Sequence, residues 1–201
     1  MTRKSNLALL LVALLFIGCS KAPSRVVPET PAGNSAAAAI AGHDADKDGL
    51  LSEQELAKAP GLKAALKQAD ADLDGKLSAD EIDKRIAAWA RSKVGRMSIV
   101  CLVSRKGVPL ADADVRLVPE PFLGTALQAG TAKTNAQGMA TPSAPTTDDK
   151  PPGLAPGFYR IEIQSASGDI PAAYNTETPF GVEIAPDSNA LMMGPLRFEL
   201  P

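Results

Sequence analysis

Two segments, DADKDGLLSEQE from Asp44 to Glu55 and DADLDGKLSADE from Asp70 to Glu81, repeat one arrangement of oxygen donors. In each, aspartates stand at positions 1, 3 and 5, glycine at 6, serine at 9 and glutamate at 12. A hard divalent cation such as calcium takes about six to eight oxygens, and a loop of about twelve residues wraps one with donors at positions 1, 3, 5, 7, 9 and 12. The candidate ligands are therefore Asp44, Asp46, Asp48, the carbonyl of Leu50, Ser52 through a water, and Glu55 in the first loop. In the second they are Asp70, Asp72, Asp74, the carbonyl of Lys76, Ser78 and Glu81. Four carboxylates converging on one point repel each other unless a cation lies between them. Magnesium demands a rigid octahedron and is the poorer fit. Two calcium sites are expected.

Both loops match the EF-hand pattern at every ligand position, so residues 34–95 resemble a paired EF-hand domain. The resemblance implies a calcium ion in each loop and a short β contact joining Leu51 and Leu77 at position 8. Dockerin modules carry similar duplicated loops but end them in Asp, whereas Glu55 and Glu81 end these. The loops begin 26 residues apart, closer than in the calcium sensors of the EF-hand family, so their helices must be abbreviated. Phe and Met are scarce around them, leaving little from which to build the groove a sensor opens to its target. Calcium is expected mainly to staple a small helical domain with an inadequate core. The alternative is a calcium-responsive switch that uncovers apolar surface around Leu56, Leu66, Ile82, Ile86 and Trp89 to bind a protein partner.

The loops need helices to position them. SAAAAIAGH leads into the first, SEQELAKA leaves it and LKAALKQA leads into the second, with Pro60 and Gly61 breaking the helical run. A last helix is expected from Ser78 to about Lys93, with Ile82, Ile86 and Trp89 on one apolar face and Gly95 at its end.

After Gly95 the period changes. YRIEIQS alternates Tyr159, Ile161 and Ile163 with Arg160, Glu162 and Gln164, which reads as a half-buried strand. SIVCLVS, ADVRLVP, GTAKT, GVEIA and PLRFELP read as further strands, separated by turn signals such as RKGVP, NAQG and PDSN. TPSAPTTDDKPPGLAPG is a Pro-rich excursion expected to be a mobile loop over one end. GVPLADADVRLVPE with TNAQG, then PGFYRIEI and IPAAYN, resemble the transthyretin-like or carboxypeptidase-regulatory-like sandwich over residues 96–201. That resemblance implies an antiparallel β-sandwich serving adhesion or assembly, with Val115, Leu117, Tyr159 and Ile161 in its core and Gly107, Pro109 and Gly157 at turns. One hydrolase uses this fold with several histidines and a C-terminal Tyr-Arg-Gly-Ser segment. This chain has a single histidine, His43, and ends LRFELP, so no enzyme is expected.

At the N-terminus Arg3 and Lys4 precede an apolar run from Leu7 to Ile17, too short for a comfortable membrane span. LFIGCS resembles a bacterial lipobox with Cys19 as the acylated residue, and acyl chains there would tether the protein to a membrane. Ser20, where an Asp would resemble an inner-membrane retention signal, favours the outer membrane of a bacterial cell envelope. Lipidation of Cys19 leaves Cys101 alone in an apolar run, with no intramolecular disulfide to form. With 21 basic against 23 acidic residues, no basic field recruits nucleic acid. The expected partners are the membrane and an envelope protein or surface polymer. The organisation expected is an α+β multidomain chain: a lipoprotein signal peptide at 1–18, a flexible tether at 19–33, the paired helical domain at 34–95 and the sandwich at 96–201.

Overall fold

The computed structural model describes residues 29–147 and 150–201; the lipobox, Cys19 and the first part of the tether lie outside them. Among the described residues the architecture is mixed α+β, with four α-helices and sheets whose strand pairs are mostly antiparallel. Among the described residues no helix is long and apolar enough to cross a membrane.

The helical segment opens with α1 (Ser35–His43), followed by the two-residue strand β1 (Leu50–Leu51) at the end of the first loop. The stretch SEQELAKA forms only one 3-10 turn, Glu55–Lys58, instead of a helix. Pro60 is the reason, since a proline disfavours helical geometry at the residue before it, and Ala59 sits at φ −129° and ψ 69°. The same proline then opens α2 (Pro60–Ala69), where its missing N–H costs nothing in the first turn. After β2 (Leu77–Ser78), α3 (Ala79–Ser92) starts at a capping box in which the Ser78 hydroxyl and the Glu81 carboxylate satisfy each other's backbone N–H. It ends at Lys93, which takes the left-handed conformation (φ 56°) ahead of Gly95, the residue expected to stop it.

The second half runs through β3 (Cys101–Arg105), β4 (Val108–Pro109), β5 (Asp114–Pro119), β6 (Gly130–Lys133), β7 (Met139–Ala140), β8 (Gly157–Gln164), β9 (Gly181–Ile184), the single-turn α4 (Asn189–Met192) and β10 (Leu196–Leu200). One sheet has the order β6-β5-β8-β9, antiparallel throughout. The other has the order β10-β3-β4, with β7 also pairing β3. Here the antiparallel expectation needs a correction, because β10 runs parallel to β3, Leu196 opposite Cys101 through Leu200 opposite Arg105. The connection carrying α4 delivers the chain to the level of Val100, whose carbonyl accepts from the Leu196 N–H, so the last strand enters from the end at which β3 starts. Pro109 and Gly157, both expected at turns, lie in strands instead, Pro109 ending β4 and Gly157 opening β8.

The two sheets enclose one core in which Val115, Leu117, Tyr159 and Ile161 are fully buried, as expected. Strand β8 is buried on both faces, because its alternate residues Phe158 and Glu162 are also sealed from solvent. Phe158 belongs to a second core with Leu56, Leu62, Ile82 and Trp89, and meets the indole edge to face with 4.6 Å between ring centroids. The helices therefore cover the outer face of this sheet. Contact is closest at the first turn of α2, where a Cβ on Gly61 would lie 2.5 Å from the Tyr159 nitrogen and one on Gly181 2.0 Å from the Pro60 carbonyl carbon. Backbone meets backbone there, which only glycine permits.

The Pro-rich excursion is stitched down at both ends, by bridges between Thr131 and Ser143 and between Met97 and Leu154. Arg96 donates to the carbonyls of Pro145 (2.7 Å) and Pro151 (3.4 Å), and Leu154 is fully buried.

Candidate metal centre

Each acidic loop is a short chain of carboxylates receiving backbone N–H groups. Asp44 accepts from Lys47 (2.7 Å) and Gly49 (2.9 Å), Asp46 from Asp48 (3.1 Å), and Asp48 from Leu50 (2.8 Å). In the second loop Asp70 accepts from Leu73 (2.7 Å) and Gly75 (2.9 Å), Asp72 from Asp74 (3.2 Å), and Asp74 from Lys76 (2.7 Å). The two patterns agree to about a tenth of an ångström at every step. Gly49 and Gly75 turn the chain with φ of 85° and 81°, and Lys47 and Leu73 take the left-handed region just before them. These turns bring one oxygen of each carboxylate in Asp44, Asp46 and Asp48 within 4.8 Å of the others, and do the same for Asp70, Asp72 and Asp74.

Glu55 and Glu81, each expected as a fourth converging carboxylate, stand outside these groups of three and instead tie each loop's end to its beginning. One oxygen of Glu55 accepts from the N–H of Ala45 (2.7 Å) and the other from the N–H (2.9 Å) and hydroxyl (2.7 Å) of Ser52. Glu81 does the same with Ala71 (2.9 Å) and Ser78 (2.8 Å from each donor). The Ser52 N–H and hydroxyl, with Ala45, hold the Glu55 carboxyl down at about 2. For Glu81 burial works upward, but the N–H groups of Ser78 and Ala71 outweigh it and its carboxyl also sits below the ordinary value. Ser78 also caps α3, and both glutamates stay ionised at neutral pH.

The loops are joined as the EF-hand resemblance implied: Leu51 pairs with Leu77 and Leu50 with Ser78 across β1 and β2, with both leucines at position 8 fully buried. The aspartate donors suit calcium, since each of their oxygens accepts at most one hydrogen bond and keeps a further lone pair, whereas one oxygen of each glutamate already accepts two from its serine.

Sequence reasoning missed the residues that seat this unit on the sheet. Arg85, one turn beyond Glu81 on α3, directs its Nε to Glu183 on β9 (2.5 Å) and both terminal nitrogens to Asp187 (2.8 and 2.9 Å). The Trp89 indole N–H donates to the same Glu183 oxygen at 2.8 Å, and the Gln68 amide reaches the Asp187 carbonyl at 2.7 Å. Burial raises the Glu183 carboxyl despite Arg85, whereas the guanidinium lowers that of the more exposed Asp187. Glu120, 1 % exposed, accepts from the Gly61 N–H at 2.7 Å and so caps α2 from the sheet side. Burial pushes its carboxyl up to about 7. The helical spacing of Arg85 with Ile82 and Trp89 was the available signal for its burial; its partners lie about a hundred residues away and left none.

His43 ends α1, half-buried against the Phe122 ring (6.1 Å between centroids), and burial and the Lys58 charge lower its imidazole pKa. Cys101 is buried between the sheets, where burial pushes its thiol up to about 12. His43 packs against Phe122 of the helical core, and Cys101 lies in the core between the sheets. No family model, no curated protein and no solved structure matches this chain.

Proposed function

We propose that the protein is a calcium-binding, lipid-anchored protein of a bacterial envelope, in which calcium mainly stabilises a paired EF-hand module and a transthyretin-like sandwich serves adhesion or assembly. The observation that carries this reading is the duplication: two loops with the same twelve-residue donor order, each bringing three carboxylates within 4.8 Å and joined at Leu51 and Leu77. The membrane anchor rests on the lipobox and Cys19 alone.

A stabilising role is favoured over a switch because the apolar face of the helices is already covered. Leu56 and Ile82 are fully buried and Trp89 is 3 % exposed, packed with Phe158, Phe122 and Leu123 from the sheet side, while Leu66 and Ile86 are partly buried against the same core. A sensor must expose such a face to a target on loading; here the chain's own sheet occupies it. The buried, uncharged thiol of Cys101 and the lone histidine at a helix end favour a non-catalytic role.

The test is a calcium titration of the purified protein with thermal melts and an apolar-surface dye in parallel. The reading expects binding at two sites, a higher melting temperature and no added dye binding. A dye-binding surface that grows with calcium would favour the switch, and no binding at millimolar calcium would sink the calcium assignment.

A further inference from the structure

We propose that Lys76 is an internal counter-cation of the first loop, which makes the two sites unequal: the second fills at lower calcium, the first only at higher. This rests on the calcium reading above. The Lys76 ammonium lies 2.6 Å from the second carboxylate oxygen of Asp48, whose first oxygen accepts from the Leu50 N–H. Lys76 is position 7 of the second loop, and its own N–H donates to Asp74. One residue therefore serves the second loop with its main chain and the first loop with its side chain.

The internal repeat supplies the control. Position 7 of the first loop is Leu50, whose N–H donates to Asp48 just as that of Lys76 donates to Asp74, but whose side chain carries no charge. Among the described residues no cationic side chain lies within ion-pair distance of Asp74. The pairing of Leu50 with Ser78 and Leu51 with Leu77 places Lys76 immediately before β2 and beside the first loop. A dication entering the first loop meets an ammonium already paired to one of its ligands and must overcome that attraction; in the second loop the same ammonium is paired to no ligand and reaches Asp74 only at longer range. Both side chains are about one-third exposed (37 % and 35 %), so the effect is that of a solvent-screened pair, about two- to fivefold in affinity and smaller at high salt.

The experiment is a calcium titration of the full-length protein in detergent at low salt, read at the Gly49 and Gly75 amide resonances, which report each loop separately. Lys76→Met removes the charge and keeps the main-chain donor and carbonyl; Lys76→Arg keeps the charge. The expected result is that Gly75 titrates before Gly49 in the parent and in Lys76→Arg. In Lys76→Met, Gly49 should move to about two- to fivefold lower calcium and by clearly more than Gly75 moves, and the difference should shrink in added salt. An unchanged or weakened first loop in Lys76→Met, or an equal shift at both loops, would overturn the proposal. If neither glycine responds in the parent, the calcium reading itself falls and this proposal with it; if both respond and Lys76→Met changes nothing, only this proposal falls.

Discussion

Arg85 and Glu183, from opposite halves of the chain, form an ion pair with side chains only 6 % and 2 % exposed. Two charges are held out of water between the helices and the sheet, and their remaining hydrogen-bonding capacity goes to Asp187 and Trp89. Removing one partner from such a pair leaves the other charge buried and unmatched, at about 3–5 kcal/mol. Arg85→Met should therefore lower the midpoint of denaturant unfolding by an amount in that range. Arg85→Met combined with Glu183→Gln should recover part of the loss. A loss under about 1 kcal/mol in the single variant would show that the pair does not hold the halves together.

Glu55→Gln with Glu81→Gln separates ligation from capping, because glutamine still fills the capping box but cannot offer a carboxylate. With sites tuned to about 0.1 mM, calcium at about 1 mM should add roughly 1.4 kcal/mol per site to the parent's stability. Melting curves with calcium and with chelator should differ in the parent and coincide in the double variant. A calcium-dependent rise that survives both substitutions would remove the glutamates from the ligand set.

Glu120 makes stability depend on pH. Its folded carboxyl titrates at about 7 against an ordinary 4.5, so the unfolded chain gives up this proton first. The contribution favouring the fold is complete below about 4.5 and is lost as the pH rises through about 7. Between pH 6 and 8.5 the parent should lose about 1 kcal/mol through this group, measured by denaturant titration. Glu120→Gln keeps an acceptor for the Gly61 N–H. It should flatten that dependence and leave the protein about 1–3 kcal/mol more stable at pH 8.5. Equal pH profiles for the two proteins would contradict this.

Gly181→Ala forces a methyl against the Pro60 carbonyl, where the nearest atoms stand 2.0 Å from an ideal Cβ, and Gly61→Ala meets the Tyr159 backbone at 2.5 Å. Neither neighbour is a side chain that can swing away. Each substitution should cost about 1–3 kcal/mol or more. Gly42→Ala, inside α1 with nothing within 4 Å of its Cβ, should stabilise by about 0.5–1 kcal/mol. Thermal melts of the three variants would check both directions, and a tolerated alanine at 181 would argue against the close helix–sheet contact.

The loops were legible residue by residue, because their geometry is local: each hydrogen bond that curls Asp44–Glu55 or Asp70–Glu81 joins groups at most ten residues apart. The strands carrying Val115, Leu117, Tyr159 and Ile161 were legible for a similar reason, since a period of two needs only neighbours in the chain. Where adjacent signals competed, local reading erred: Pro60 truncated the helix expected from SEQELAKA. What tertiary structure alone decided lies between distant segments. Phe158, just before the strand read from YRIEIQS, is drawn into the helical core by Trp89; Glu120, just beyond ADVRLVP, caps α2; β10 joins β3 in parallel because of where α4 delivers it. Composition and periodicity mark a residue as apolar or charged, but the partner that buries or neutralises it is chosen only when the chain closes on itself.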